Sequence, residues 1–321
     1  MRAWWLATAM AVVVAAPAVA QKYPVKPIRL IVQSPAGGTA DLIARVIAQR
    51  LGDALGQPVV ADNRAGAAGT VSAELTAQAA PDGYTLLLAS VSLMAINVTL
   101  REGQLSYNPE TDFTPVALTG KVPLALSVLP AFPPKTFKEF VAYAKARPGK
   151  LSYGSAGTGS SNHVVGEMLK TATGIDMVHV PFKGGAPAMA ALLASQLDLY
   201  IATVPTIVPM VQGGRIRAIA VSSARRSAAL PDTPTIAESG LPGFDTTSWF
   251  CVVGPAGLPR AITARLNAEI VKILGTAEVR ERMVAAGVNI ETGTPDELRA
   301  FVHDEIQKMR QSVRFSRATV D

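Results

Sequence analysis

The stretch Lys150-Leu151-Ser152-Tyr153-Gly154-Ser155-Ala156-Gly157-Thr158-Gly159-Ser160-Ser161-Asn162-His163 decides how this chain reads. A short strand-like run, 150–153, enters a turn of glycines and hydroxyls, and a helical pattern follows from Val164 to Thr171. Strand, glycine-rich turn and helix N-terminus together build an anion site. The first N–H groups of a helix have no partner inside it, and the aligned peptide dipoles place about half a positive charge there. Glycines let a ligand approach that backbone closely. The stretch is not a nucleotide loop. The spacing from Gly154 to Gly159 resembles a Walker A loop, but Ser160 stands where the phosphate-binding lysine belongs. A G-x-G-x-x-G fingerprint fails as well, because Asn162 occupies its last position. What remains is a set of neutral donors suited to a small anion such as a carboxylate.

Working outward, strand and helix patterns alternate along the chain. Ile28–Val32 is a strand, 34–39 a loop, and Leu42, Ile43, Val46, Ile47, Leu51 and Leu55 recur at helical spacing before Gly56. A second strand follows at Pro58–Ala61, a helix at Thr70–Ala79 and a third strand at Tyr84–Ala89. This β-α-β-α-β order predicts a parallel sheet covered by helices on both faces. The pattern restarts near residue 120. Strands are predicted at 124–129, 151–154, 177–181, 198–202 and 216–223, with helices at 137–146, 164–171 and 186–194. A strand at 248–253 leads to helices at 260–274 and 277–286 and a last one starting at Thr294 or Pro295. Two α/β units in one chain suggest a cleft between two lobes, with the ligand at the carboxyl ends of the strands. Loops 34–39, 89–92, 154–161, 182–185 and 203–206 fall at such ends and would converge on one polar pocket.

Residues 1–20 read as a secretory leader rather than as fold. Arg2 supplies the positive start, Trp4 to Ala16 the short apolar core, and Ala18-Val19-Ala20 the cleavage site before Gln21. An uncleaved membrane anchor is the rival reading, although the run falls short of the roughly 20 residues a span requires. The mature chain is expected to be exported and soluble, and its ~300 residues suit two domains. A single cysteine, Cys251, excludes an intrachain disulfide, and its neighbours Trp249-Phe250-Cys251-Val252-Val253 read as a core strand. Net charge is +6, with the basic residues scattered and few aromatics among them, so nucleic-acid binding is excluded.

Enzyme chemistry finds little support. A nucleophile elbow around Ser155 needs glycine at position 153, where Tyr153 stands. The three histidines, His163, His179 and His303, lie far apart in sequence, and with one cysteine they offer no metal motif. No catalytic residue, metal or cofactor is expected. A Ser–His pair assembled by the fold stays open at this point.

Further motifs run in order through nearly the whole chain. They are 23–32 (YPVKPIRLIV), 35–41 (PAGGTAD), 62–69 (DNRAGAAG), 81–87 (PDGYTLL), the 153–160 turn with His163, 180–185 (VPFKGG), 220–223 (AVSS), 230–235 (LPDTPT), and Trp249-Phe250 before 254–257 (GPAG). Taken together, this order resembles the Bug-type periplasmic substrate-binding receptors of tripartite tricarboxylate transporters. The resemblance implies an α/β, two-lobed periplasmic binding protein fold of type II, each lobe a mainly parallel sheet flanked by helices. Lobe one would comprise 21–117 and 248–321, lobe two 118–247, with a hinge of two crossing strands near 115–118 and 249–253. It implies a receptor, monomeric, that closes on a small carboxylate and delivers it to an integral-membrane permease. The alternative is a sensor subunit that presents the solute to a membrane histidine kinase. It also implies that one ligand carboxylate is held partly through ordered waters on the 35–41 loop, with direct donors from the 155–161 turn and its neighbours. Many members of the family carry an acidic residue after the strand that starts at Asp198, where this chain has Ile201-Ala202-Thr203-Val204. That departure points to a ligand without an amino group.

The candidate ligand-binding residues are Ala36, Gly37, Gly38, Thr39, Ser90, Ser155, Ala156, Thr158, Ser160, His163, Lys183, Gly184 and Thr203. Several have a plainer role. Thr39 is a reasonable N-cap, and Asp41 suits the first helical turn rather than an anionic ligand. Ser160 or Ser161 can cap the helix that follows them. His163 is expected to support the turn rather than touch ligand. Lys183 could meet a second carboxylate, or it could be an ordinary exposed lysine. Thr203 offers a neutral hydroxyl.

Overall fold

The computed structural model describes residues 23–66, 69–316 and 318–319. The leader assigned to residues 1–20 lies outside them. In the first half of the chain, β1 (Ile28–Val32), α1 (Thr39–Leu55), β2 (Val59–Asn63), α2 (Thr70–Ala77) and β3 (Thr85–Ser90) form the expected unit, with β1 parallel to both β2 and β3. The stripe Ile43, Val46, Ile47, Leu51 and Leu55 is buried, and Gly56 ends α1 at φ 70°, its N–H donating to Gly52 O. A wide π-turn at Ser92–Ile96 then runs into the short α3 (Asn97–Leu100).

The second half holds β4 (Phe113–Val128), α4 (Phe137–Lys145), β5 (Leu151–Ser155), α5 (Ser161–Thr173), β6 (Met177–Pro181), α6 (Gly185–Leu193), β7 (Leu199–Thr203), α7 (Val204–Gln212) and β8 (Arg217–Val221). The chain returns through β9 (Thr247–Pro255) and ends in α8 (Arg260–Gly275), α9 (Ala277–Ala285) and α10 (Pro295–Ser316).

Among the described residues nine strands make one continuous sheet in the order β2-β1-β3-β9-β4-β7-β5-β6, with β8 also on β4. The expected parallel pairing is present in each half, and the continuous sheet they share is mixed. Parallel pairs lie towards its two ends, but β3–β9, β9–β4, β4–β7 and β4–β8 are antiparallel. The cause is the course of two strands. β9 inserts between β3 and β4, and β4 pairs with β9 from Phe113 to Pro123 before changing partners at Leu124 to β7 and β8. These two strands therefore carry the backbone between the halves.

Both faces of the sheet are buried, which explains the near-continuous apolar strands. Ile28, Leu30, Leu86 and Leu88 pack with Ile43, Ile47, Leu266 and Ile270 on one face, while Ile31, Leu87 and Ala89 pack with Ile306 and Met309 on the other. α10 also packs on α5, so the last helix touches both halves. Cys251 is fully buried in β9, as its neighbours predicted, and burial pushes its thiol pKa up.

Candidate functional site

All five loops at strand ends meet at one cavity of about 630 Å³ between the two halves of the sheet. The lining includes the N-cap residues of five helices: Gly38 of α1, Gly69 of α2, Ser160 of α5, Gly184 of α6 and Thr203 of α7. Each helix start brings the positive end of its dipole and N–H groups that have no partner within the helix itself. At α1 the amides of Thr39 and Ala40, both in the lining, have no hydrogen-bond partner among the described residues. Two cations, Arg101 and Lys183, also line the cavity, and no aspartate or glutamate does. The site is electropositive throughout.

The side chains around it are fixed by identifiable bonds. Ser90 N donates to Gln33 Oε1 at 3.1 Å, so the Gln33 amide nitrogen faces Ser90 Oγ and donates to it. Ser92 N donates to the same Oγ at 3.2 Å. With both lone pairs taken, the Ser90 hydroxyl has only its proton to offer, which suits an anionic acceptor. Asn162 is held by Nδ2 donation to Ile201 O at 2.7 Å. Ser160 does cap α5, accepting from His163 N, while Ser161 N donates across to Ser92 Oγ at 3.2 Å.

The structure brings nine of the thirteen candidates to the cavity wall: Gly38, Thr39, Ser90, Ala156, Thr158, Ser160, Lys183, Gly184 and Thr203. Four do not reach it. Ala36 and Gly37 are exposed at the outer tip of their loop, where Gly37 N donates to Asp41 Oδ2 at 3.0 Å. Ser155 is fully buried, its Oγ 2.7 Å from His179 Nε2 and accepting from Gly157 N at 3.1 Å. The fold thus does assemble a Ser–His pair, but the hydroxyl is enclosed within the turn and away from the cavity. His163 is buried beneath that turn. It accepts from Gly159 N at 3.3 Å and stacks on His179 with centroids 4.2 Å apart. These contacts place it under the turn and outside the cavity lining.

Thr39 is not the N-cap of α1. Gly38 takes that place, and the Thr39 hydroxyl crosses the cleft to Thr203 Oγ1 at 2.8 Å and Thr206 Oγ1 at 3.3 Å. Thr203 and Thr206 lie 2.9 Å apart, which closes a ring of three hydroxyls. Three bonds use all three protons, so Thr203 latches the halves together and has no donor to spare for a carboxylate. Asp41 steadies the same loop. Burial alone would raise its pKa, but bonds from Arg45 Nε, Gly37 N and Asn63 Nδ2 outweigh that and hold it below the ordinary carboxylate range. A lowered folded-state pKa contributes stability above the unfolded value that is lost as pH falls through the folded one. The Tm difference between wild type and Asp41→Asn should therefore be largest near neutral pH and shrink as pH falls below about 4. A gap that widens towards acid would contradict this reading.

A family model described as tripartite tricarboxylate transporter family receptor matches residues 43–315. The chain belongs to this family. It is 39% identical over 302 residues to BugT of Bordetella pertussis, covering 94% of this chain and 92% of that protein. Among solved structures it is similar to an R. palustris protein with adipate (TM-score 0.90, 35% identity, 93% of this chain and 100% of that one). It is also similar to MatC from Rhodopseudomonas palustris with bound malate (TM-score 0.85, 34% identity, 91% and 100%) and to the periplasmic binding protein BugD (TM-score 0.87, 33% identity, 92% and 99%). This is a family of periplasmic solute-binding receptors, not of enzymes, and its periplasmic binding protein fold is the one described above. Among the described residues no helix is long and apolar enough to cross a membrane.

Sequence reasoning missed several wall residues. Thr206 belongs to the 203–206 segment expected at the pocket as a loop, which the structure makes the start of α7, and is not itself among the candidates; Tyr200 lies within an apolar strand whose pattern signals only burial. Arg101 follows α3 in a segment without any recognisable motif, so no local signal separates it from the other arginines.

Proposed function

We propose that this chain is exported, loses its leader near Ala20, and captures a small carboxylate in the cavity between its halves. It then delivers that solute to the membrane permease of a tripartite transporter. The observation that carries this reading is the cavity wall itself: five helix N-termini and two cations with no acidic side chain. Such a wall favours an anion through fixed dipoles and donors that need no rearrangement. The structural neighbours with adipate and with malate agree with an organic acid as ligand. A wall without aspartate or glutamate also gives a ligand ammonium no counter-charge, which supports an acid lacking an amino group.

The proposed mechanism is closure about β4 and β9, in a monomer with lobes at 21–117 plus 248–321 and at 118–247. Ligand bridges the loops of both halves and favours the closed form by its differential affinity for it. A thermal-shift screen of refolded, ligand-stripped protein tests the binding step. Carboxylates are compared with their own primary amides, which keep shape but not charge. Binding raises apparent stability by about 2.7 kcal/mol at a hundredfold excess over Kd. The expected result is a saturable shift with at least one acid and none with its amide. Equal shifts for acid and amide, or no shift with any acid, would contradict the proposal.

A further inference from the structure

Resting on the carboxylate reading, we infer that Arg101 binds a second anionic group of the ligand, which makes the natural solute a dicarboxylate. Arg101 stands just after α3, and this segment packs against the glycine turn before α5. A Cβ on Gly159 would lie 2.4 Å from Asn97 Oδ1 and 3.8 Å from Leu100 Cδ1. The side chain is partly buried and lines the cavity. Its Nε is closed off from solvent with no hydrogen-bond partner, and among the described residues it forms no ion pair. Tyr107 nearby donates to Leu93 O, and the Glu74 carboxylate is engaged by the Ser106 hydroxyl. Among the described residues no carboxylate comes within ion-pair distance of this guanidinium.

An arginine N–H closed off from water without a partner is unfavourable, and a carboxylate accepting bonds from the guanidinium offsets that cost. The first carboxylate has its own place at the unpaired amides of Thr39 and Ala40 and the Ser90 proton. Arg101 then meets the other end of the ligand. Lys183, the cation singled out from sequence, is exposed and on a flexible stem, and a water-screened ammonium contributes less than a partly buried planar fork.

The test is calorimetric titration of ligand-stripped full chain, Arg101→Gln and Lys183→Gln with succinate, glutarate, adipate and pimelate, each against its monomethyl ester. Wild type should prefer a diacid over its monoester. Arg101→Gln should lose roughly ten- to hundredfold in affinity for that diacid while binding the monoester as wild type does, which also shows that the variant is folded. Lys183→Gln should lose less. If wild type binds diacids and Arg101→Gln binds them equally well, the assignment of Arg101 is overturned while the receptor reading stands. If wild type binds no acid or ester of the set, or binds a diacid and its monoester equally well, the dicarboxylate assignment is overturned, and the receptor reading is judged by the wider acid screen.

Discussion

Gly184→Ala is expected to weaken ligand binding by roughly ten- to hundredfold without unfolding the protein. Gly184 caps α6 at φ 118°, a backbone conformation that L side chains rarely adopt. A Cβ there would stand 2.9 Å from Cδ and Cγ of Pro35, which belongs to the β1–α1 loop on the opposite side of the cleft. Two costs follow, and they separate experimentally. The φ strain, about 1–3 kcal/mol, burdens the loop whether or not the halves are together, so it lowers the Tm of ligand-free protein. The overlap with Pro35 arises only where the halves meet, so its roughly 1–3 kcal/mol falls on the closed form and appears as lost affinity. Pairing Gly184→Ala with Pro35→Ala removes the overlap and leaves the strain. The double variant should recover most of the affinity and none of the Tm. Unchanged affinity in Gly184→Ala would show that closure does not bring these loops together.

Trp249→Ala carries the largest expected loss of stability, about 4 kcal/mol, or roughly 8 °C in Tm. Trp249 is 1% exposed in β9, and its ring meets Phe301 of α10 edge-on at 5.0 Å between centroids. Its Nε1–H donates to Glu305 Oε2 at 2.8 Å, and the only ion pair of that buried glutamate among the described residues is with Lys308 at 3.4 Å. Truncation opens a cavity and removes the donor on which the buried carboxylate depends. Trp249→Phe keeps most of the volume and loses the bond, so it should cost about 1–2 kcal/mol. Thermal denaturation of both variants checks the pair, and equal losses would mean that the hydrogen bond rather than packing ties α10 to the sheet.

The parts of the fold most legible in the sequence are those with a clear period. α1 shows its stripe from Leu42 to Leu55 and its stop at Gly56, and the observed helix follows that pattern. β4 does not read as one strand because Pro115, Gly120 and Pro123 interrupt it. The sheet absorbs the first two with register shifts between Pro115 and Ala117 and between Leu118 and Gly120, a tolerance that sequence pattern does not reveal. α7 hides for a similar reason. Pro205 sits in its first turn, where a missing N–H costs nothing, and Pro209 lies inside the helix. The wide turn at Ser92–Ile96 is buried on all sides and so shows no amphipathic period.

The site divides in the same way. Loops rich in glycine and hydroxyls announced most of the cavity wall, since backbone approach and helix starts are local properties. Which side of a turn a residue faces is not local. Ser155 and His163 were drawn inward by His179 and by the turn's own amides, and Ala36 and Gly37 outward by Asp41. Thr39 meets Thr203 and Thr206 only because the two halves are brought together, which no spacing along the chain encodes.

The most direct test of the account is a crystal structure of the ligand-stripped protein with the tightest-binding acid from the screen. The account predicts one carboxylate within hydrogen-bond distance of the Thr39 and Ala40 amides and the Ser90 hydroxyl, in the cavity between the halves. An acid bound elsewhere, or seated there with its carboxylate turned away from those amides, would contradict it.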